Sequence, residues 1–291
     1  MKPFHFQYSN ATRSVLLRVA VTLALVASLS CRVQAADSQQ AAIYRDANGE
    51  FRRDSSLSFP LSSNGRFTIE NENGRTEIHG CDSNKVEIKA VIHGGDKEHV
   101  EAVKINVNPV QDEIDVRTEL PPEPAGFSWK WLWSHVGNWN GVSVDYIIQV
   151  PKGAGLAKIS GVNGGIEIGG VSGSITASTV NGRLQIRDAA DNLKLSTVNG
   201  QIEAAMVSLN ASKSVSLDAV NGRIDLALPD NAGAKISAST VNGIITSGFP
   251  SLIVEKQFPV GSNLKGRLGD GLATVKASTV NGSIAIHPRK L

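Results

Sequence analysis

The sequence predicts an all-β protein whose C-terminal half is a parallel β-helix, a β-solenoid of stacked coils. A pentapeptide, STVNG, recurs with the variants SGVNG and DAVNG, and its asparagines lie 18, 18, 22, 21 and 39 residues apart. Apolar and polar residues alternate around each Asn-Gly, which is typical of strands with one buried face. After residue 150 the aromatic residues are Phe249 and Phe258 alone, which fits a narrow aliphatic core. The six asparagines are Asn163, Asn181, Asn199, Asn221, Asn242 and Asn281.

Asn-Gly between two strands is also the usual signal of a β-hairpin, so an antiparallel meander is the rival arrangement. The near-constant period favours the solenoid, because like residues of successive coils can stack in ladders about 4.8 Å apart. Asn and Gly tolerate positive φ, so each Asn-Gly is predicted to form a sharp corner in that conformation. The valine before each corner, such as Val180, is predicted to point inward.

The chain before the repeats predicts a less regular β region over residues 57–150. Residues 36–56 are polar and predict a linker, and Asn73-Gly74 is an early copy of the corner. Pro151 marks the passage into the regular repeats of residues 151–291. One helical turn is predicted over 96–102, and strands are predicted over 65–71, 74–79, 85–93, 103–109, 112–119 and 141–150.

Residues 1–35 have the form of a signal peptide. The first 18 positions carry three basic residues and no acid, and the uncharged run from Val19 to Ser30 is too short to span a membrane. Two processing sites remain open. Cleavage after Ala35 would release a soluble chain, whereas a lipobox-like sequence ending at Cys31 would make that cysteine a lipidation site. Either one predicts export to the periplasm or cell envelope, with no transmembrane span after processing.

The charge of the chain gives no reason to expect a nucleic-acid partner. Lys and Arg total 29 against 27 Asp and Glu, a net charge of +2. Removing residues 1–30 takes away three of the positive charges and leaves 26 against 27, a net of −1. The apparent basicity therefore belongs to the signal segment.

An insertion over residues 121–140 contains all four tryptophans. In an extended strand the first three would share one face, and exposed aromatic rings often mark a contact with sugar, lipid or protein. The segment is therefore a candidate binding surface for an envelope component, whether a polysaccharide, a lipid surface or a protein. The alternative is a cap over the end of the solenoid. The residues are Trp129, Trp131, Trp133 and Trp139.

Acidic residues on the repeats are the candidates for catalysis, since sugar-cleaving enzymes can use a pair of carboxylates on a β-helix wall. Single acids on strands are normally solvated, and Arg223 with Asp225 predicts a surface ion pair. The histidines lack the spacing of metal ligands. We therefore predict no catalytic residue, no metal and no cofactor. The acids considered are Glu167, Asp188, Asp191, Glu203, Asp218, Asp225 and Asp230.

The chain resembles the bacterial putative-adhesin families of β-strand repeat proteins, many of which are domains of unknown function. The resemblance covers residues 57–287 and rests on FTIENENGRTEIHG, KVEIKAVIH, VDYIIQVPKGAGLAKISGVNGGIEIGG and the copies of STVNG. It implies a right-handed parallel β-helix, often exported or linked to the envelope. It brings no catalytic residues with it.

These observations predict a non-catalytic protein of the bacterial envelope that acts as a scaffold, an adhesin-like protein or a binding module. Two alternatives remain. One is a carbohydrate-active enzyme on a β-helix, which would need clustered acids along a groove. The other is an accessory protein of an envelope-stress or signalling system that acts through a partner protein.

Overall fold

The computed structural model describes residues 39–40, 42–120, 141–256 and 261–289. These residues form two β-sheets, which along the repeats consist mainly of parallel strands. Sheet A has 12 strands and sheet B has 11. Along the repeats, successive strands alternate between the sheets, and each pairs in parallel with the equivalent strand of another coil. This is the solenoid-like arrangement that the repeat predicts, and it excludes the antiparallel meander for the repeats. The right-handed sense of the coil stays a prediction.

Seven coils run from a strand of sheet B, through an Asn-Gly corner, to a strand of sheet A. Their strands in sheet B are β4 (Arg66–Asn73), β10 (Gly155–Asn163), β12 (Ile175–Asn181), β14 (Leu193–Asn199), β16 (Ser214–Asn221), β18 (Ala234–Asn242) and β22 (Ala273–Asn281). Their strands in sheet A are β5 (Thr76–Cys81), β11 (Ile166–Gly169), β13 (Leu184–Ala189), β15 (Ile202–Met206), β17 (Ile224–Leu228), β19 (Ile245–Ser247) and β23 (Ile284–Pro288).

The remaining strands extend the two sheets, mostly by antiparallel pairing. Next to the first coil, β8 pairs in parallel with β4 and β9 with β5. The six-residue α1 (Lys97–Ala102) lies where a helical turn is predicted, and no helix in the described ranges is long and apolar enough to cross a membrane. These strands are β1 (Gln39–Gln40), β2 (Tyr44–Arg45), β3 (Phe51–Pro60), β6 (Lys85–Gly94), β7 (Lys104–Val110), β8 (Glu113–Glu119), β9 (Ser143–Pro151), β20 (Ile253–Lys256) and β21 (Ser262–Leu268).

The predicted linker over residues 36–56 is wrong where the structure describes it, because most of that segment belongs to sheet A. Strand β3 pairs with β6 along its whole length, from Phe51 opposite Gly94 to Pro60 opposite Lys85. Polar residues can form this strand because an antiparallel sheet can leave one face in water. The six strands predicted between residues 65 and 150 lie within two residues of β4 to β9.

The strands do not stack in sequence order at either end of the solenoid. In sheet B, β22 lies between β16 and β18, so the last coil of the chain is inserted between two coils that precede it. At the other end, β4 lies between β8 and β10. The 39-residue interval before Asn281 therefore does not hold two stacked periods. Part of it forms β20 and β21, an antiparallel pair that covers the free edge of β18.

One asparagine from each coil contributes to a continuous ladder along the edge of the stack. Every asparagine of the ladder except Asn73 donates from its side-chain Nδ2 to the Oδ1 of a neighbour, at 2.8 or 2.9 Å. Alongside, the N–H of the following glycine donates to the asparagine carbonyl of the adjacent coil, as from Gly182 to Asn199 at 3.1 Å. In stack order the ladder is Asn73, Asn163, Asn181, Asn199, Asn221, Asn281 and Asn242.

Close approach of neighbouring coils, and not positive φ, is what requires glycine at the repeated corners. Of the seven corner glycines, Gly74 alone has a positive φ, of 115°. At Gly200, a Cβ would lie 1.8 Å from the carbonyl oxygen of Gly182. The other corner glycines after Gly74 show the same conflict with the coil below, at 1.7 to 2.0 Å. The predicted positive φ is therefore wrong at six of the seven corners.

The corner also reverses the predicted orientation of its valine. Val180 is 38% exposed, and the equivalent valines are at least as exposed. The threonine before it points inward instead: Thr179 is 3% exposed and its Oγ1 donates to the carbonyl of Gly164 at 3.1 Å. The partly buried carbonyl at the corner needs a donor, which threonine supplies and valine cannot. The prediction of an inward valine is wrong for this reason.

Substituting alanine at two adjacent glycines tests the close-approach explanation. Gly164→Ala would place Cβ 1.9 Å from the carbonyl oxygen of Gly74, whereas the nearest atom to a Cβ at Gly165 is the carbonyl oxygen of Arg183, at 3.4 Å. We expect Gly164→Ala to lower the free energy of unfolding by about 2 kcal/mol or more and Gly165→Ala by less than about 0.5 kcal/mol. Urea denaturation measures both, and equal midpoints would contradict the explanation.

Three of the seven coils lack the inward threonine, with Asn71, Gly161 or Ala219 in its place, and the coil of Ala219 offers a stabilising substitution. Ala219 stands in register with Thr197, whose Oγ1 donates to a corner carbonyl at 3.5 Å. Ala219→Thr should supply the missing donor to the carbonyl of Gly200 and raise the free energy of unfolding by about 1 kcal/mol. The matched control is Ala219→Val, which has the same shape without the hydroxyl. If valine stabilises the protein as much as threonine, the hydrogen bond is not the cause.

Candidate functional site

The predicted site residues divide into those that the structure describes and those that it does not. Trp129, Trp131, Trp133, Trp139 and the lipidation candidate Cys31 lie outside the described residues. The repeated asparagines are brought together in the ladder at the edge of the stack. Their side chains bond to one another, so their observed role is structural.

The outer face of sheet A carries acids and bases that neutralise one another. Glu167 bonds to Arg75 at 2.7 Å on one side and to Arg187 at 2.8 Å on the other. The predicted ion pair of Arg223 with Asp225 is present at 2.7 Å, and His287 Nε2 also reaches Asp225 at 2.7 Å. Most charged side chains on this face therefore form ion pairs with one another.

The acids considered for catalysis are spread over several surfaces, and most have a partner of their own. Asp188 is paired with Arg289, Asp191 with Lys213 and Glu203 with Arg183. On sheet B, Asp218 accepts from the hydroxyls of Ser216 and Ser278. Asp230 is exposed in the turn after β17.

Two of these acids are direct neighbours. Glu203 on β15 is in register with Asp225 on β17, so their Cα atoms are about 4.8 Å apart, the usual strand spacing. Each binds an arginine, Arg183 and Arg223 respectively. A glycosidase needs one carboxyl of such a pair in its neutral, proton-donating form. In this pair both carboxylates are instead occupied by arginine.

The outer face of sheet B differs in its chemistry. The six strands β12, β14, β16, β22, β18 and β21 present mainly serine, threonine and lysine outward, and Asp218 is their one acid. Their basic residues are Lys194, Lys276, Lys235, Lys265 and Arg267, and all five are exposed. This face therefore carries an excess of positive charge that sheet A does not have.

An exposed row of valines runs along the asparagine ladder. Six valines, one from each coil after the first, are between 38% and 51% exposed. A shallow groove follows three of them and is bordered by Asp218 and Ala219. The row comprises Val162, Val180, Val198, Val220, Val280 and Val241.

A histidine cluster near the first coil is a feature that sequence reasoning missed. His93 Nε2 lies 2.9 Å from Ser143 Oγ and 3.2 Å from Asp145 Oδ2, and Glu50 lies 3.6 Å from Nδ1. A serine nucleophile requires that nitrogen as a proton acceptor. Here Nε2 also faces a carboxylate, so the geometry suits an ion pair better than a catalytic triad. Ser143 and Asp145 are 50 and 52 positions from His93 in the chain, and the pairing of β6 with β9 brings them together.

The fold and its faces define a solenoid-like β-repeat protein. More narrowly, residues 153–287 match the family model Toastrack DUF4097. The resemblance to β-strand repeat domains of unknown function is thereby confirmed. No curated protein matches the sequence significantly.

Several solved structures are similar, with low sequence identity. A putative cell adhesion protein from Clostridium sporogenes has a TM-score of 0.48 and 13% identity, over 81% of this chain and all of that one. A putative adhesin from Bacteroides fragilis has a TM-score of 0.37 and 12% identity, over 81% and 97%. A putative lipid binding protein from Parabacteroides distasonis has a TM-score of 0.33 and 10% identity, over 81% and 97%.

The His93 cluster predicts a fall in stability as the pH rises. The hydrogen bond to Asp145 raises the pKa of His93, and the same bond lowers the pKa of Asp145. The stabilisation from protonated His93 is complete below the ordinary histidine pKa of about 6.5 and is lost as the pH rises through the raised value. We expect wild type to lose more stability than His93→Gln between pH 6 and 8.5 in urea titrations. Parallel pH profiles would contradict the assignment.

Proposed function

We propose that this chain is an exported protein of the bacterial cell envelope that acts as a non-catalytic scaffold or adhesin-like binding module. The observation that carries the proposal is that the repeated residues are engaged in contacts between coils. Its asparagine, threonine and glycine hold the coils together, and two long outer faces of regular spacing are left for display. Such faces suit contact with an extended partner better than conversion of a small substrate.

The location rests on the segment before the described residues. Residues 1–35 have the charge and apolar pattern of an export signal, and Cys31 is a lipidation candidate. A lipid at Cys31 would tether the protein to a membrane surface, whereas cleavage after Ala35 would leave it soluble in the periplasm. We expect a partner among envelope components: a polysaccharide, a lipid surface or a protein.

The tryptophan segment remains a candidate contact surface within this proposal. Its four indole rings fall between residues 129 and 139. Since these are all the tryptophans of the chain, their fluorescence reports on that segment alone. Emission typical of water would favour a contact surface, and emission already shifted to the blue would favour a structural cap.

A carbohydrate-active enzyme is the second candidate, and the adjacent Glu203 and Asp225 are the observation that favours it. Their Cα atoms are one strand spacing apart, about 4.8 Å, and a retaining glycosidase uses two carboxyls about 5 Å apart. Against it, both lie on the open outer face of sheet A and both bind arginine.

The purified chain from residue 36 should bind an envelope component without converting it. We would measure pelleting and tryptophan emission with peptidoglycan, outer-membrane fractions and lipid vesicles, and the release of reducing sugar in the same samples. We expect saturable binding to one fraction and no sugar release. Glu203→Gln and Asp225→Asn serve as controls and should bind as wild type does. Sugar release that either substitution abolishes would favour the enzyme, and the absence of binding to every fraction would contradict the proposal.

A further inference from the structure

We propose that the outer face of sheet B binds an acidic polysaccharide along a row of lysines. The inference rests on the proposed function, since it names the ligand class of the binding module. We define the lysine row as Lys194, Lys276 and Lys265 together with the hydroxyl residues Thr176, Ser216 and Ser237.

The row is built by strand register. Lys194 on β14 pairs with Thr176 on one side and Ser216 on the other. Ser216 then pairs with Lys276 on β22, and Lys276 pairs with Ser237 on β18. Ser237 pairs with Lys265 on β21, which ends the row. Lysine and hydroxyl therefore alternate across six strands.

The alternation sets a regular spacing of charge. Neighbouring strands lie about 4.8 Å apart, so successive lysines are about 9.6 Å apart and Lys194 and Lys265 about 19 Å. The backbone of each lysine is fixed in a paired strand within the sheet. The row thus places one lysine on every second strand, at a regular backbone interval.

The cations of the row are available to a ligand. All three lysines are exposed, and among the described residues none of them forms an ion pair, unlike Lys158 with Glu70 or Lys213 with Asp191. The one acid on these strands, Asp218, is bound by two serine hydroxyls. Lys235 and Arg267, in register with each other beside the row, add further positive charge.

The spacing and the chemistry favour a polysaccharide that carries one acidic group on every second sugar. In an extended β-linked chain, two sugar residues span about the interval between successive lysines, so each carboxylate could meet a lysine. The intervening neutral sugar would meet Ser216 or Ser237, whose hydroxyl oxygens can accept hydrogen bonds from it. Single-stranded nucleic acid is disfavoured, because it carries a charge on every nucleotide and its bases stack on aromatic rings. The six strands contain no aromatic residue.

The test measures the affinity of the mature chain for hyaluronan oligosaccharides, which have one carboxylate per disaccharide. The triple variant Lys194→Gln, Lys276→Gln, Lys265→Gln should bind at least tenfold more weakly. A matched control removes three exposed lysines elsewhere, through Lys89→Gln, Lys97→Gln and Lys104→Gln, and should change the affinity less than threefold. Thermal unfolding of both variants should match wild type, because the replaced side chains are exposed.

Several outcomes would overturn the inference. Equal losses in the two triple variants would mean non-specific charge attraction. Tighter binding of polygalacturonate, with a carboxylate on every sugar, would contradict the spacing argument. Loss of binding to anionic lipid vesicles in the row variant, without hyaluronan binding by wild type, would assign the row to a membrane surface. If wild type binds an envelope fraction but no acidic polysaccharide, this inference fails and the proposed function stands. If it binds neither, both fail.

Discussion

The close approach of neighbouring coils at the Asn-Gly corner is the constraint on which the rest of the structure depends. A Cβ at Gly222 would lie 1.7 Å from the carbonyl of Gly200, so the stack closes only around glycine. That approach brings the asparagine amides within hydrogen-bond distance of one another. It also turns a carbonyl inward, which the buried threonine satisfies. Strand register, and with it the position of every outward side chain, follows from this alignment.

Local patterns were sufficient to predict the strands and the ladder, and they were insufficient to predict which side chain faces inward at the corner. Alternation places Leu193 and Leu195 inside correctly, because each lies within a regular strand. The same apolar reasoning fails at Val198, which is exposed while Thr197 is buried. A polar residue takes the inner position there because its hydroxyl donates to a backbone carbonyl of the adjacent corner. The sequence alone does not show that this carbonyl needs a donor.

The lysine row could not be predicted from the sequence because it depends on the order in which the coils stack. In sequence order, Ser216 would be followed by Ser237 and then by Lys276, and the lysines would lose their regular interval. In the observed order, β22 enters between β16 and β18 and restores the alternation. The N-terminal histidine cluster is hidden in the same way, since β6 and β9 supply residues that are far apart in the chain.

The inserted coil also limits how the length of this solenoid can vary. Between β10 and β17, chain order and stacking order coincide, so duplicating or deleting one 18-residue repeat there would shift its neighbours without changing any connection. Beyond β17 the chain order and the stacking order differ, because β22 lies between β16 and β18 and β21 covers the other edge of β18. A new repeat there would have to be inserted between strands that are not consecutive in the chain. Growth or shortening by whole repeats, in evolution or by design, is therefore confined to the middle of the stack.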